Sequence, residues 1–200
     1  MKIRSAASAA LAVAAALILV GCANTTDSGS MPGMNHGSDS SASTEADFNN
    51  ADVMFAQMMI PHHEQAIEMA DMLLAKDGID SDIVTLAEDI KAAQQPEIDQ
   101  MEEWLQAWGA DMGDMGGMGG MGHDDGMMSD DDMAAFQDAT GAEASRLFLE
   151  QMIEHHEGAI DMAQNEVDNG QNADAIDMAE SIIDTQTAEI AQMEQLLTEL

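Results

Sequence analysis

Methionine and histidine recur in this chain at a spacing suited to metal ligation: Met59-x-x-His62-His63 and, 93 residues later, Met152-x-x-His155-His156. A thioether and a neutral imidazole together make a soft donor set, which favours Cu(I), with Ag(I) as a chemical mimic. Each set is followed by a second stretch of polar and sulfur-bearing residues, Gln94-x-x-Glu97-x-x-x-Met101 and Gln186-x-x-Glu189-x-x-x-Met193. The candidate ligands are therefore Met59, His62, His63, Met101, Met152, His155, His156 and Met193. Gln94, Glu97, Gln186 and Glu189 stand as supporting groups or further ligands.

These residues sit inside an internal repeat. Residues 55–70 align without gaps on residues 148–163 with ten of 16 positions identical, and residues 86–105 align on 178–197 with ten of 20 identical. Each half carries apolar residues at helical spacing, as in Phe55, Met59, Ala66, Ala70 and Leu73, and in Ile90, Ile98, Met101 and Leu105. Chain breakers close the helices at Lys76-Asp77-Gly78, Trp108-Gly109 and Asn169-Gly170. Pro61 falls within the first helix, where it removes one backbone hydrogen bond and predicts a kink. Two hairpins that cannot each bury an apolar stripe must pack on one another. The expected fold is all-α: a four-helix bundle over residues 47–200, built from hairpins 47–108 and 130–200. The intervening residues 109–129 read as a Met- and Gly-rich loop.

On a wheel of about 100° per residue, Met59 centres one face of the first helix and His62 and His63 lie about 60° and 40° to either side. Both imidazoles then point inward, as do His155 and His156 of the second copy. A core holding four His, two Gln, two Glu and several Met is costly unless each polar group has a partner. Methionine at helical spacing ordinarily packs, and a buried His beside a carboxylate ordinarily forms a satisfied pair. Occurring twice, each time opposite a Gln-x-x-Glu-x-x-x-Met helix, the pattern favours ligation. Ferritin-like bundles place Glu-x-x-His at their di-iron sites. Here the Glu positions are Met59 and Met152, an exchange that argues for copper over iron.

Two low-complexity segments repeat the same donors. Met112, Met115, Met118 and Met121 are spaced by three with Gly between them, and His123 follows. Met31, Met34 and His36 form a shorter version near the N-terminus. Without a core to fill, methionine on a flexible backbone is expected to wrap soft cations in exchangeable auxiliary sites.

The N-terminus has the form of an export signal. Lys2 and Arg4 precede an apolar stretch from Ala6 to Val20, and Leu19-Val20-Gly21-Cys22 resembles a bacterial lipoprotein cleavage site. Residues 1–21 are then a lipoprotein signal peptide, Cys22 the lipidated residue, and 22–46 a flexible tether. This places the protein outside the cytoplasm, touching the membrane only through its N-terminal lipid. The chain has 39 Asp and Glu against 5 Lys and Arg, a formal charge of −34. Such a surface repels phosphate, so no nucleic-acid partner is expected. A single Cys excludes a disulfide framework or a Cys-rich metal site.

Phe55-x-x-x-Met59-Ile60-Pro61-His62-His63-x-x-Ala66-x-x-Met69-Ala70, with Gln94-x-x-Glu97-Ile98-x-x-Met101-x-x-Trp104-Leu105 after it, resembles the bacterial exported family called domain of unknown function 305. The resemblance spans residues 47–200. It implies a ferritin-like helical bundle and, as for some members, copper binding and copper or silver tolerance. It carries the metal role onto Met59, His62, His63, Met152, His155 and His156. The second copy departs from the pattern at Glu154, where the first has Pro61, and at Leu196, where the first has Trp104. The expected function is sequestration, buffering or handover of copper in the cell envelope, the partners being the metal and other copper-handling proteins. Two alternatives remain: a ferritin-like metal-oxidising oxidoreductase using Glu97, Glu189 and the four His, and a metal-free helical interaction module. No nucleophile triad, phosphate loop or dinucleotide fingerprint suggests catalysis.

Overall fold

A computed structural model of the chain describes residues 47–110 and 126–200. Residues 1–21, the expected signal, with Cys22, Met31, Met34, His36, Met112, Met115, Met118, Met121 and His123, lie outside the described residues. Within them the chain is all-helical: α1 (Asn50–Leu74), α2 (Ser81–Trp108), α3 (Asp130–Asp138), α4 (Gly141–Asn169) and α5 (Ala173–Glu199). None of these is long and apolar enough to cross a membrane.

Local sequence explains where the helices begin and end. Asn49 caps α1 in a reciprocal box with Asp52, and Ser129 does the same for α3 with Asp132. Asp80 and Asn172 cap α2 and α5 through their side chains. Gly109, at φ 68°, ends α2 in the left-handed conformation that glycine adopts without penalty. Helix α1 runs unbroken through Pro61, and α2 through Pro96.

The four long helices pair α1 with α2 and α4 with α5, and these pairs meet chiefly through α1 and α4. Phe55, Ala56, Met59 and Ile60 from the start of α1 pack in one apolar cluster with Ala159 and Ala163 from the end of α4. Met69, Ala70 and Leu73 from the end of α1 pack in a second cluster with Ala144, Phe148 and Met152 from the start of α4. The two helices are therefore antiparallel, and the duplicated segments face one another about a local two-fold axis. Side chains of α2 and α5 complete both clusters.

Helix α3 is a departure from the four helices expected. It is nine residues long, lies within the stretch assigned to the second hairpin, and packs on α4. Phe136 gives it a reason to fold: the ring is fully buried and lies 6.0 Å from Phe148. Lys76 ties the same helix to the end of α1 by donating to the carbonyls of Gln137 (2.8 Å) and Ala139 (2.9 Å). With only one buried residue, α3 carries too little apolar periodicity to be read from sequence.

Candidate metal centre

The histidines form a layer between the two apolar clusters. Each of the four is at most 1 % exposed. His62 of α1 and His155 of α4 occupy equivalent positions in the repeat and meet near the local two-fold axis, with ring centroids 3.7 Å apart and planes tilted by 38°. His155 and His156 follow at 6.4 Å between centroids. Burial, and after it the neighbouring imidazoles of His62, His156 and His63, push His155 well below the usual histidine range. It is held neutral, the form in which imidazole binds metals.

The outer histidines are oriented by carboxylates. Nε2 of His63 donates to Glu97 at 2.8 Å, and Nε2 of His156 donates to Glu189 at 2.7 Å. The pairs occupy matching repeat positions and agree to within 0.1 Å, so the same constraint is built twice. A carboxylate can only accept here, so it fixes the proton on Nε2; in the neutral ring Nδ1 is then a lone pair. Both Nδ1 atoms are buried without a hydrogen-bond partner among the described residues, as are both ring nitrogens of His155. A histidine held by a carboxylate on one nitrogen and presenting the other is the arrangement that orients metal-bound imidazole.

The supporting amides are in a similar state. Among the described residues, Gln94 is 3 % exposed with no partner for either side-chain amide atom, and Gln186 is 3 % exposed with none for its Oε1. So many unpaired buried polar atoms in one layer would be costly in a finished core. Among the described residues, no three His, Cys, Asp or Glu side chains group as a ready-made metal site.

The methionines stand on either side of this layer. Met59 and Met101 are fully buried in the cluster at one end, and Met152 and Met193 are fully buried in the cluster at the other. All eight candidate ligands are thus interior, and their two sets are related by the local axis. Of the supporting carboxylates, Glu97 and Glu189 keep side-chain exposures of 20 % and 14 %, so they reach the histidines from the rim.

Sequence reasoning missed the contact that joins the inter-hairpin segment to this centre. Gln65 donates from Nε2 to the carbonyl of Met128 at 2.9 Å and accepts at Oε1 from the Met128 N–H at 2.7 Å. Met128 is buried in the cluster that holds Met152 and Met193. On the α4 side, Gly126 sits so close that a Cβ there would fall 2.6 Å from the Glu154 carbonyl and 3.0 Å from the Gly158 Cα. The usable signal was Gln65 standing opposite Gly158 in the repeat, between residues that are otherwise nearly identical.

The family described as Domain of unknown function (DUF305) matches over residues 20–72 and 52–197. No curated protein matches by sequence. Among solved structures, a DUF305 fragment from Deinococcus radiodurans is 31 % identical with a TM-score of 0.68, covering 76 % of this chain and 98 % of its own. A candidate secreted DUF305 protein from Streptomyces coelicolor is 32 % identical with a TM-score of 0.68, covering 74 % and 93 %. CopM in its Cu(I)-bound form is 32 % identical with a TM-score of 0.60, covering 74 % and 96 %. CopM has also been solved in Cu(II)-bound, Ag-bound and apo forms.

Proposed function

The chain belongs to the DUF305 family, and from that premise we propose that it is an extracytoplasmic copper-binding protein that takes up Cu(I), and Ag(I) as its mimic, for sequestration, buffering or handover. One observation carries the reading. His63 and His156 are each fixed at Nε2 by a carboxylate and each leave a buried Nδ1 without a hydrogen-bond partner among the described residues. Copper- and silver-bound CopM, at about a third identity, supports the choice of ion.

In this reading the metal is cargo. Glu97 and Glu189 hold the outer imidazoles in one tautomer. Burial keeps His155 neutral, and Met59, Met101, Met152 and Met193 supply thioethers that prefer a soft monovalent ion. The four long helices act as a ferritin-like bundle whose usual Glu-x-x-His is replaced by Met-x-x-His. Residues 1–21 are the export signal, Cys22 carries a lipid anchor, and Met31, Met34, His36, Met112, Met115, Met118, Met121 and His123 offer weaker, exchangeable sites. Other copper-handling proteins of the envelope would give or receive the ion.

The test is a thermal melt of the full mature chain with and without Cu(I) or Ag(I), under reducing and oxygen-free conditions. A ligand at a hundred times its Kd adds about 2.7 kcal/mol to stability. For a chain of this size that raises the midpoint by roughly 5–10 °C. An unmoved midpoint at saturating metal rejects the function.

A further inference from the structure

The segment Gly126–Met128 lies across the groove between α1 and α4. Gly126 is seated on α4 at Glu154 and Gly158, and Met128 is fastened to α1 by both amide atoms of Gln65. Gln65 lies three residues beyond His62, and Gly158 three beyond His155. Because α1 and α4 are antiparallel, the two anchors fall on opposite sides of the His62–His155 contact. Each is displaced from it by about 4.5 Å of helix rise. On α4 Gly126 touches both Glu154 and Gly158, residues that bracket His155. The segment therefore passes the level at which the two central histidines meet.

The anchors are where the repeat breaks its own symmetry. From Met59 to Ala70 the first copy differs from the second, apart from Glu68 for Asp161, only at Pro61 for Glu154 and Gln65 for Gly158. The segment touches three of those four positions, at Glu154, Gln65 and Gly158. A Gly at 158 lets backbone approach α4. Gln at 65 has the length and the donor–acceptor pair to grip one residue's N–H and C=O together. Neither residue offers a soft donor.

The histidines beneath are at most 1 % exposed, so an ion must displace protein to reach them. Displacing a helix would break a packed cluster. Displacing this segment requires breaking Gln65's two hydrogen bonds and lifting Met128. Resting on the proposed function, we infer that Gln65 is a positioning residue for metal exchange: by fastening Gly126–Met128 across α1 and α4, it sets the rate at which a soft monovalent ion enters and leaves the histidine layer, without ligating that ion.

The experiment follows Ag(I) binding and release by stopped flow, with Kd from competition, in the full mature chain and in Gln65→Ala and Gly126→Ala. The second variant loosens the α4 anchor, because Gly126 has φ 76° and no room for a Cβ. Hydrogen exchange at the Met128 amide, in metal-free protein, reports whether the segment is freed. The expected result is faster Met128 exchange, and association and dissociation rates both raised about tenfold, the factor that loss of one or two hydrogen bonds implies. Kd stays within about twofold, a pattern that neither a lost ligand nor general destabilisation produces. Rates unchanged in both variants while Met128 exchanges faster overturn the inference, as does a weakened Kd with association unaltered. No uptake by the wild-type chain overturns the proposed function itself, a result distinguishable from either.

Discussion

Glu166 faces Asp52 at one end of the α1–α4 pair, in positions that the repeat fills at the other end with Leu73 and Ser145. Asp52 is fully buried and accepts hydrogen bonds from the backbone N–H groups of Asn49, Gln171 and Asn172. Burial opposes its ionisation, but those bonds and the neighbouring Glu166 side chain outweigh it, and its pKa is lowered. Glu166 moves the other way: burial, then the neighbouring Asp52 carboxylate, raise it to about 8. At neutral pH the pair is one carboxylic acid and one carboxylate, stitching the start of α1 to the α4–α5 turn.

The sign of the resulting pH dependence follows. Glu166 is raised, so its contribution is complete below its ordinary value of 4.5 and is lost as pH climbs through about 8. Asp52 is lowered, so its contribution holds above its ordinary 3.8 and fades at more acid pH. Melting the metal-free chain at pH 6 and pH 9 should show a lower midpoint at pH 9. Glu166→Gln should remove most of that difference. Equal pH slopes in the two proteins would refute the raised pKa of Glu166.

Exchanging Met59 and Met152 for Leu conserves volume and should cost less than about 1.5 kcal/mol per site in metal-free stability. The stabilisation by Ag(I) or Cu(I) should fall sharply, since the soft donors are gone. If both variants bind metal as the parent does while Glu97→Gln abolishes binding, the oxidoreductase alternative gains and the thioether reading fails. The quantity to measure is the metal-induced shift in melting midpoint.

Glu97→Gln and Glu189→Gln retain the shape of the side chain but weaken its grip on the imidazole Nε2–H. Support of this kind is typically worth 10- to 100-fold in affinity. Matching losses are expected at the two sites, because the His63–Glu97 and His156–Glu189 pairs have the same geometry. Titration against a chromophoric Cu(I) chelator would detect the change, and unaltered affinity in both would mean that the carboxylates serve packing alone.

Phe136→Ala tests whether α3 is structural. The ring is fully buried against Phe148, and removing such a ring usually costs about 3–5 kcal/mol. Chemical denaturation should show a large fall in midpoint with little change in slope. A negligible fall would indicate that α3 peels away independently.

The long helices were legible because Phe55, Met59, Ala66, Ala70 and Leu73 repeat at one period, and the first four of them recur in duplicate. The inward aim of His62, His63, His155 and His156 followed from their sharing that stripe. Other features arise from contacts between residues distant in sequence, which no periodicity marks. Gln65 meets Met128 across 63 positions, and Asp52 meets the α4–α5 turn across about 120. Helix α3 escaped notice because Phe136 is its one buried residue. The Asn49–Asp52 cap, and the second task of Asp52 in receiving the turn before α5, likewise emerge only in the folded chain.

The local two-fold axis through the His62–His155 contact has a further consequence. Were the hairpins separate identical chains, any change at the contact would land on both sides at once, so a Gln needed on one side would be forced onto the other. Joining both copies in one polypeptide releases each position to be altered alone. The twin histidines could stay matched while Gln65 and Gly158, or Leu73 and Glu166, took different tasks on the two faces of an otherwise self-complementary junction.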